Sequence, residues 1–240
     1  ERIKVRVKCS KHGALKFIGH LDIMRYFQKA FRRSGIDIAY TEGFSPHPVM
    51  SFAAPLGVGL ESDGEYLDVE LNAPADMAEI KEKLNEQMAE GMEVLSAVVL
   101  PEKSKSAMAS VAAAGYYIAF RNEFAPPCGW QEAIEKFLEK DRIMVKKQTK
   151  KSMMEIDLRP AIYDFRLSSY REKDCLYLMV NASSAGNVKP GMVVEALFQE
   201  MEIPFDPAWS AVTREDTYLN RGTEEKPLFV PMDESDKGLQ

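Results

Sequence analysis

Three histidines, His12, His20 and His47, are the only ones in the chain, and all lie within its first fifty residues. One sits in GFSPHP, Gly43 to Pro48, where two prolines bracket the ring and stiffen the backbone around it. An imidazole beside carboxylates can relay a proton, hold an anion when charged, or ligate a metal. His20, His47 and Asp22 are the candidate catalytic groups, one imidazole taking a proton while the other gives one. The same three could hold a divalent metal, although nothing in their spacing selects one, and no cofactor is predicted. Cys9-x-x-His12 has the spacing of a metal pair, yet Cys9 continues the apolar face of its own segment.

These groups have to be positioned by elements. RIKVRVKC alternates, with Ile3, Val5, Val7 and Cys9 on one face and Arg2, Lys4, Arg6 and Lys8 on the other, as in a half-buried strand. From His20 to Arg33 the period becomes helical, and Ser34-Gly35 supplies a helix stop. Strands follow at 36–42, 65–71 and 92–100, with a charged amphipathic helix at 76–90 that has Asp76 near its N-cap. The same order is read again over 116–120, 130–140, 142–149, 175–180, 190–201 and 210–218. Lysines on both faces of 146–151 suit a protected edge strand. The predicted fold is α+β, two tandem ferredoxin-like βαββαβ domains with antiparallel sheets, at 1–100 and 115–221. A linker spans 101–114, and 222–240 forms an acidic tail.

That topology sets the end of strand 1, the start of helix 1, the end of strand 2 and the start of strand 3 on one edge of the sheet. All three histidines fall there. The expected ligand-binding set is His12, Gly19, His20, Arg25, Arg33, Gly43, Phe44, Ser45, His47, Glu61 and Glu65. The free N–H groups at the start of helix 1 favour an anion, and Arg25, Lys29 and Arg33 are the phosphate candidates on its basic side. The basic face of strand 1 has two readings: an RNA platform, or a face neutralised by Asp68 and Glu70 of strand 3.

Bulk properties narrow the class. The chain has 240 residues, 45% of them hydrophobic and 28% charged, enough for a real core. Net charge is -6, yet residues 1–50 hold ten Lys/Arg against four Asp/Glu, so the chain is acidic with a basic end. The three cysteines are scattered, which suits a reduced, cytoplasmic setting, and no apolar run reaches a membrane span. There is no P-loop, G-x-S-x-G, H-E-x-x-H or dinucleotide fingerprint.

The stretch FIGHLDIMRYFQKAFRRSGIDIAYTEGFSPHPVMSFAAPLGVGLESDGEYLDVEL, 17–71, resembles the start of the radical-SAM-linked protein family. Its G-H-L-D-x-x-R, R-R-x-G, G-F-x-P-H-P, P-L-x-x-G and E-S-x-x-E-Y elements are all present, and IDLRP at 156–160 fits in outline. The family's pattern falls on Gly19, His20, Asp22, Arg25, Arg33, Gly43, Phe44, Pro46, His47, Pro55, Leu56, Gly57, Glu61 and Glu65. This bacterial family of unknown function is found beside or fused to an uncharacterised radical-SAM protein. The resemblance therefore implies a separate radical-SAM protein, encoded nearby, as partner, because this chain has no C-x-x-x-C-x-x-C to hold the cluster. Genes of the family often sit among those for ribosomal proteins and a ribonuclease, so RNA is a second candidate partner. The expected function is an accessory or substrate-presenting module that binds RNA or a phosphate-bearing ligand at the histidine edge, without independent catalysis. A histidine- or metal-dependent hydrolase or nuclease, and a purely structural interaction protein, are the alternatives.

Overall fold

The structure, a computed structural model, describes residues 1–121 and 128–234. The fold is mixed α+β, with few helices and mostly antiparallel strand pairing. The chain forms two compact units: Glu1–Ala112 with the C-terminal segment from Asp216, and Ala113–Glu215.

In the first unit, β1 (Ile3–Lys11) lies between β4 (Met92–Leu100) and β3 (Glu61–Leu71), antiparallel to both, and the short β2 (Met50–Phe52) pairs with β3. The alternation in β1 sends Val5, Val7 and Cys9 into a core with Leu67, Val69 and Leu71 of β3. Two helices cover that face. α1 (His20–Ser34) contributes Ile23, Phe27 and Phe31, and α2 (Met77–Asn85) contributes Ile80 and Leu84. α1 stops where predicted, because Gly35 adopts the left-handed conformation at φ 72°. Asp76 caps α2 through the Ala78 N–H, but that helix ends at Asn85, short of the predicted 90.

The predicted strand at 36–42 is not regular. Ile38 bridges Leu71 and Ala39 N–H donates to Glu70, after which the chain leaves β3 and rejoins it at β2. Between lies a looped-out segment whose neck is closed by Val49 N–H to Ala39 C=O. GFSPHP is that excursion. Its prolines lack N–H donors, and Gly43 takes φ 116°, so an unbroken ladder is unavailable there.

The other face of this sheet is closed by the C-terminal segment. β10 (Ser210–Asn220) places its end, from Asp216 on, beside β3, and β11 (Phe229–Pro231) pairs with it antiparallel. Arg6 grips Asp68 with two hydrogen bonds (2.7 and 2.8 Å) and donates a third to Met232 C=O (3.2 Å). Lys8 Nζ reaches Asp216 Oδ2 (2.8 Å), Tyr66 donates to Asp216 Oδ1 (2.6 Å), and Ser96 donates to Asp233 Oδ2 (2.7 Å). Burial, then the Asp216 charge, push the Tyr66 phenol far above its ordinary range, so it stays a donor. Approach is close: a Cβ on Gly64 would meet the Asp216 Cα at 2.5 Å. Of the two readings of this face, the geometry is that of ion pairing: Arg2 and Glu70 also face each other, at 3.8 Å.

In the second unit, β9 (Lys173–Asn181) is antiparallel to both β5 (Ala113–Phe120) and β8 (Ile162–Tyr170), and Ser210–Glu215 of β10 completes the order β8-β9-β5-β10. α4 (Trp130–Leu138) and α5 (Pro190–Glu200) pack on it through Phe137 against Phe165 and Phe198 against Phe120. The strand expected at 142–149 is β6 (Met144–Gln148), an edge strand that among the described residues pairs with β7 (Met153–Asp157) alone, in a separate two-stranded ribbon. β8 supplies the strand that the sequence left inside an unassigned stretch. A short helix, α3 (Ala107–Ser110), stands in the expected linker. Residues 125–127, in the predicted approach to α4, and 235–240 of the predicted tail lie outside the described residues.

Arg6→Met should cost about 3 kcal/mol, because it strands Asp68 in a largely dry site. Arg6→Met with Asp68→Leu should recover most of that loss, as urea denaturation of the three proteins will measure.

Candidate functional site

Sequence motifs far apart in the chain converge on one recess of about 20 Å³, lined by Lys11, His20, Ile23, Phe52, Ala54, Leu56 and Glu65. Each wall has a local cause. His20 is the first residue of α1, entered through extended Gly19, whose C=O accepts the Ile23 N–H at 3.1 Å. The ring packs edge-on against Phe52 of β2, with centroids 5.5 Å apart. Ala54 and Leu56 belong to the loop that leaves β2. Glu65 lies on β3 opposite Cys9 and is only 6% exposed. Lys11 is 4% exposed at the end of β1, after a bulge, and its Nζ donates to Ile18 C=O at 3.1 Å.

The electrostatics follow from that burial. Desolvation, and then the charge of Lys11, lower the His20 pKa from its ordinary value, so the ring is neutral near pH 7. Desolvation, and then the Glu65 carboxylate, push the Cys9 thiol far up, so it stays protonated and is no thiolate ligand. Lys11, a neutral imidazole and Glu65 around a void of one water's size offer donors and an acceptor to a single small polar group.

The other predicted residues occupy separate settings. His12 is held between Glu61 Oε2 (2.8 Å) and Asp63 Oδ1 (2.6 Å), and the Gly13 N–H donates to Glu61 Oε1 (3.1 Å). Burial alone would raise the Glu61 pKa, but hydrogen bonds from His12 and Gly13, with the charges of His12 and Lys16, bring it below the ordinary value. Gly91 is required against this turn: it has φ 93°, and a Cβ there would lie 2.4 Å from the His12 carbonyl oxygen.

His47 is exposed and hydrogen-bonds within its own loop. Its N–H donates to Thr41 Oγ1 (3.1 Å), and Nδ1 lies 3.2 Å from that hydroxyl and 3.3 Å from the Ser45 carbonyl. Phe44 projects into solvent at the tip. The neck of this loop opens beside Glu70, five positions along β3 from Glu65, or roughly 17 Å at strand rise. Asp22 and Arg25 form an exposed pair at 3.1 Å, while Arg32 and Arg33 lie in the last turn of α1, where they complement the helix dipole. Among the described residues, no group of three or more His, Cys, Asp or Glu is arranged to hold a metal ion.

With this geometry in hand, comparison with known proteins gives one decisive result. Residues 4–190 match the family described as an uncharacterized protein conserved in bacteria (DUF2344). The chain belongs to that family. No curated protein matches it. Among solved structures, it is similar to a crystal structure of an unknown protein from Galdieria sulphuraria. The two are 12% identical, with 90% of this chain and 98% of the other covered, at a TM-score of 0.26. No helix among the described residues is long and apolar enough to cross a membrane.

The recess in this family member includes residues that the sequence motifs do not mark: Lys11, Ile23, Phe52 and Ala54. Lys11 had a readable signal. It continues the odd-numbered inward parity of Ile3, Val5, Val7 and Cys9. Phe52 and Ala54 had none, because what they face is set by where β2 rejoins β3.

Because folding lowers the His20 pKa, the unfolded chain takes up that proton first. The stability it contributes is therefore complete above pH of about 6.5 and declines as pH falls through that value. Lys11→Met should move the His20 midpoint upward in an NMR titration of its ring protons. An unchanged midpoint would show that the two groups are not coupled.

Proposed function

We propose that this protein is an accessory, substrate-presenting module that offers one polar group of a phosphate-bearing ligand or RNA to a partner enzyme. The observation that carries this reading is the size of the recess. About 20 Å³ admits a single water-sized group, whereas a pocket that engulfs a small-molecule substrate needs roughly 300–1,000 Å³. A second protein has to complete the site. Lys11 and the neutral His20 ring donate to the presented group, and Glu65 accepts from it.

The rim supports the same reading. Phe17 and Leu21 are each 67% exposed and flank His20 in sequence, and Val58 is 62% exposed. The Gly59 N–H bonds to Lys16 C=O at 2.7 Å, which brings the Val58 turn against the Phe17 turn. Apolar side chains left in water around a polar recess suit a docking rim. The partner implied by the sequence resemblance is a radical-SAM protein encoded nearby. The strand orders β4-β1-β3-β2 and β10-β5-β9-β8 also support the finer reading of two ferredoxin-like units, the second carrying the β6–β7 ribbon as an insertion.

The test is co-elution of the purified chain with that radical-SAM protein, followed by turnover. Leu21→Asp should weaken association at least about ten-fold with an unchanged melting curve, since docking would then have to desolvate an unpaired carboxylate. Lys11→Met should leave association intact and reduce turnover. Full turnover by the partner without this chain, or substrate hydrolysis by this chain alone, would overturn the reading.

A further inference from the structure

The root of the β6–β7 ribbon is anchored. Leu158 is fully buried and Ile143 is 5% exposed. The Asp157 carboxylate accepts from the Ile143 N–H (2.8 Å) and the Arg159 N–H (3.0 Å), and Arg159 Nε donates to the Leu138 carbonyl (3.1 Å). The base of the ribbon is thereby a fixed wall, and α5 stands across from it. Between them lies a cavity of about 420 Å³, inside the range of roughly 300–1,000 Å³ that holds a small molecule.

Register decides what each wall shows. Lys146 and Glu155 are direct cross-strand partners, so they share one face of the ribbon. Met144, two positions before Lys146, lies on that face too. From α5 come Met192, Glu195, Ala196 and Gln199, spaced i, i+3, i+4 and i+7 along a single stripe. Val194 and Leu197, beside that stripe, are buried in the core and fix the rotation of the helix.

The polar groups of the cavity are not paired off. Among the described residues, Lys146, Glu155, Glu195 and Gln199 form no ion pair and no side-chain hydrogen bond. Edge protection accounts for the ribbon's lysines. It does not account for two carboxylates and an amide that converge with one of them on a cavity. The thioethers of Met144 and Met192 add an apolar surface that adapts to what lies on it.

The lining holds two carboxylates, one ammonium, one amide and an apolar floor. Its complement is a molecule with two cationic groups, one carboxylate and an aliphatic stem. We infer that this cavity binds a free basic α-amino acid, of the lysine or arginine kind. The α-ammonium and the side-chain cation lie against Glu155 and Glu195, and the carboxylate meets Lys146 and the Gln199 amide. The stem rests on Met144, Met192 and Ala196. Other small ligands leave a group unmatched. A diamine sets a cation against Lys146, a neutral amino acid leaves one glutamate unanswered, and a phosphate compound faces two carboxylates.

Titration calorimetry of the full chain with L-lysine and L-arginine tests this. The controls are norleucine, which lacks the side-chain ammonium, and cadaverine, which lacks the carboxylate. At least one basic amino acid should bind with one-to-one stoichiometry, and each control at least about five-fold more weakly, the worth of one exposed ion pair. E195Q should weaken the amino acid about five-fold. K146M should weaken it by a similar factor yet tighten cadaverine, because the opposing cation is gone. Both side chains are exposed, so the melting temperatures should not change. Saturable binding of neither basic amino acid would overturn the assignment. So would either control binding as tightly as the amino acid, the mark of a merely charged surface, or wild-type affinity in both variants.

Discussion

The fold of the first unit depends on a buried set of charges on the face of β1 and β3 opposite the helices. Arg6 and Lys8 project from a strand whose other side is pure core, and neither can be buried unpaired. The chain solves this by bringing back its own C-terminal segment. Asp216 and Asp233, 208 and 225 positions after Lys8, accept from Lys8, Tyr66 and Ser96, and the Met232 carbonyl accepts from Arg6. Tyr66 is 1% exposed as a result, although its position in the alternation is outward. A sheet closed in this way on both faces offers a ligand its edges and loops instead.

The recess at the start of α1 is such an edge. What it presents is a matter of burial more than of residue type. A lysine, a glutamate and a histidine are common on any surface, where their charges are screened and mobile. Here the first two are almost dry, and the third is driven neutral by the same desolvation and by the neighbouring cation. Water's screening is reduced, so each group responds strongly to whatever fills the one small void between them. The apolar side chains of Phe17, Leu21 and Val58 outside it are left in solvent.

The ribbon of the second unit shows the opposite economy. Its root is fixed by hydrogen bonds and buried side chains, while its length makes few contacts and carries repulsive like charges. Lysines within six residues of one another weaken a ribbon that is already marginal. An element that opposes its own stability in this manner is held in place by its anchor.

Much of the first unit is written in its residues. The alternation of Ile3 to Cys9, the helical period from His20 and the Gly35 stop each follow from local geometry, and the structure keeps them. Antiparallel pairing and the ion pair of Arg6 with Asp68 were legible for the same reason: they are neighbours across one ladder. Motif spacing singled out His20 and Glu65. It could not say that GFSPHP is extruded from the middle of a strand, with its neck roughly five residues along β3 from the recess, because both arrangements use the same turn chemistry. The lysines of 146–151 mark an edge strand, as β6 is, but they could not say that its one partner would be β7 in a separate ribbon. The identity of the strand beside a strand, the void left between Lys11 and Glu65, and the return of Asp216 and Asp233 to Lys8 are non-local choices. They are made by the packing of the whole unit, in which burial decides which charges must find partners and which remain in water.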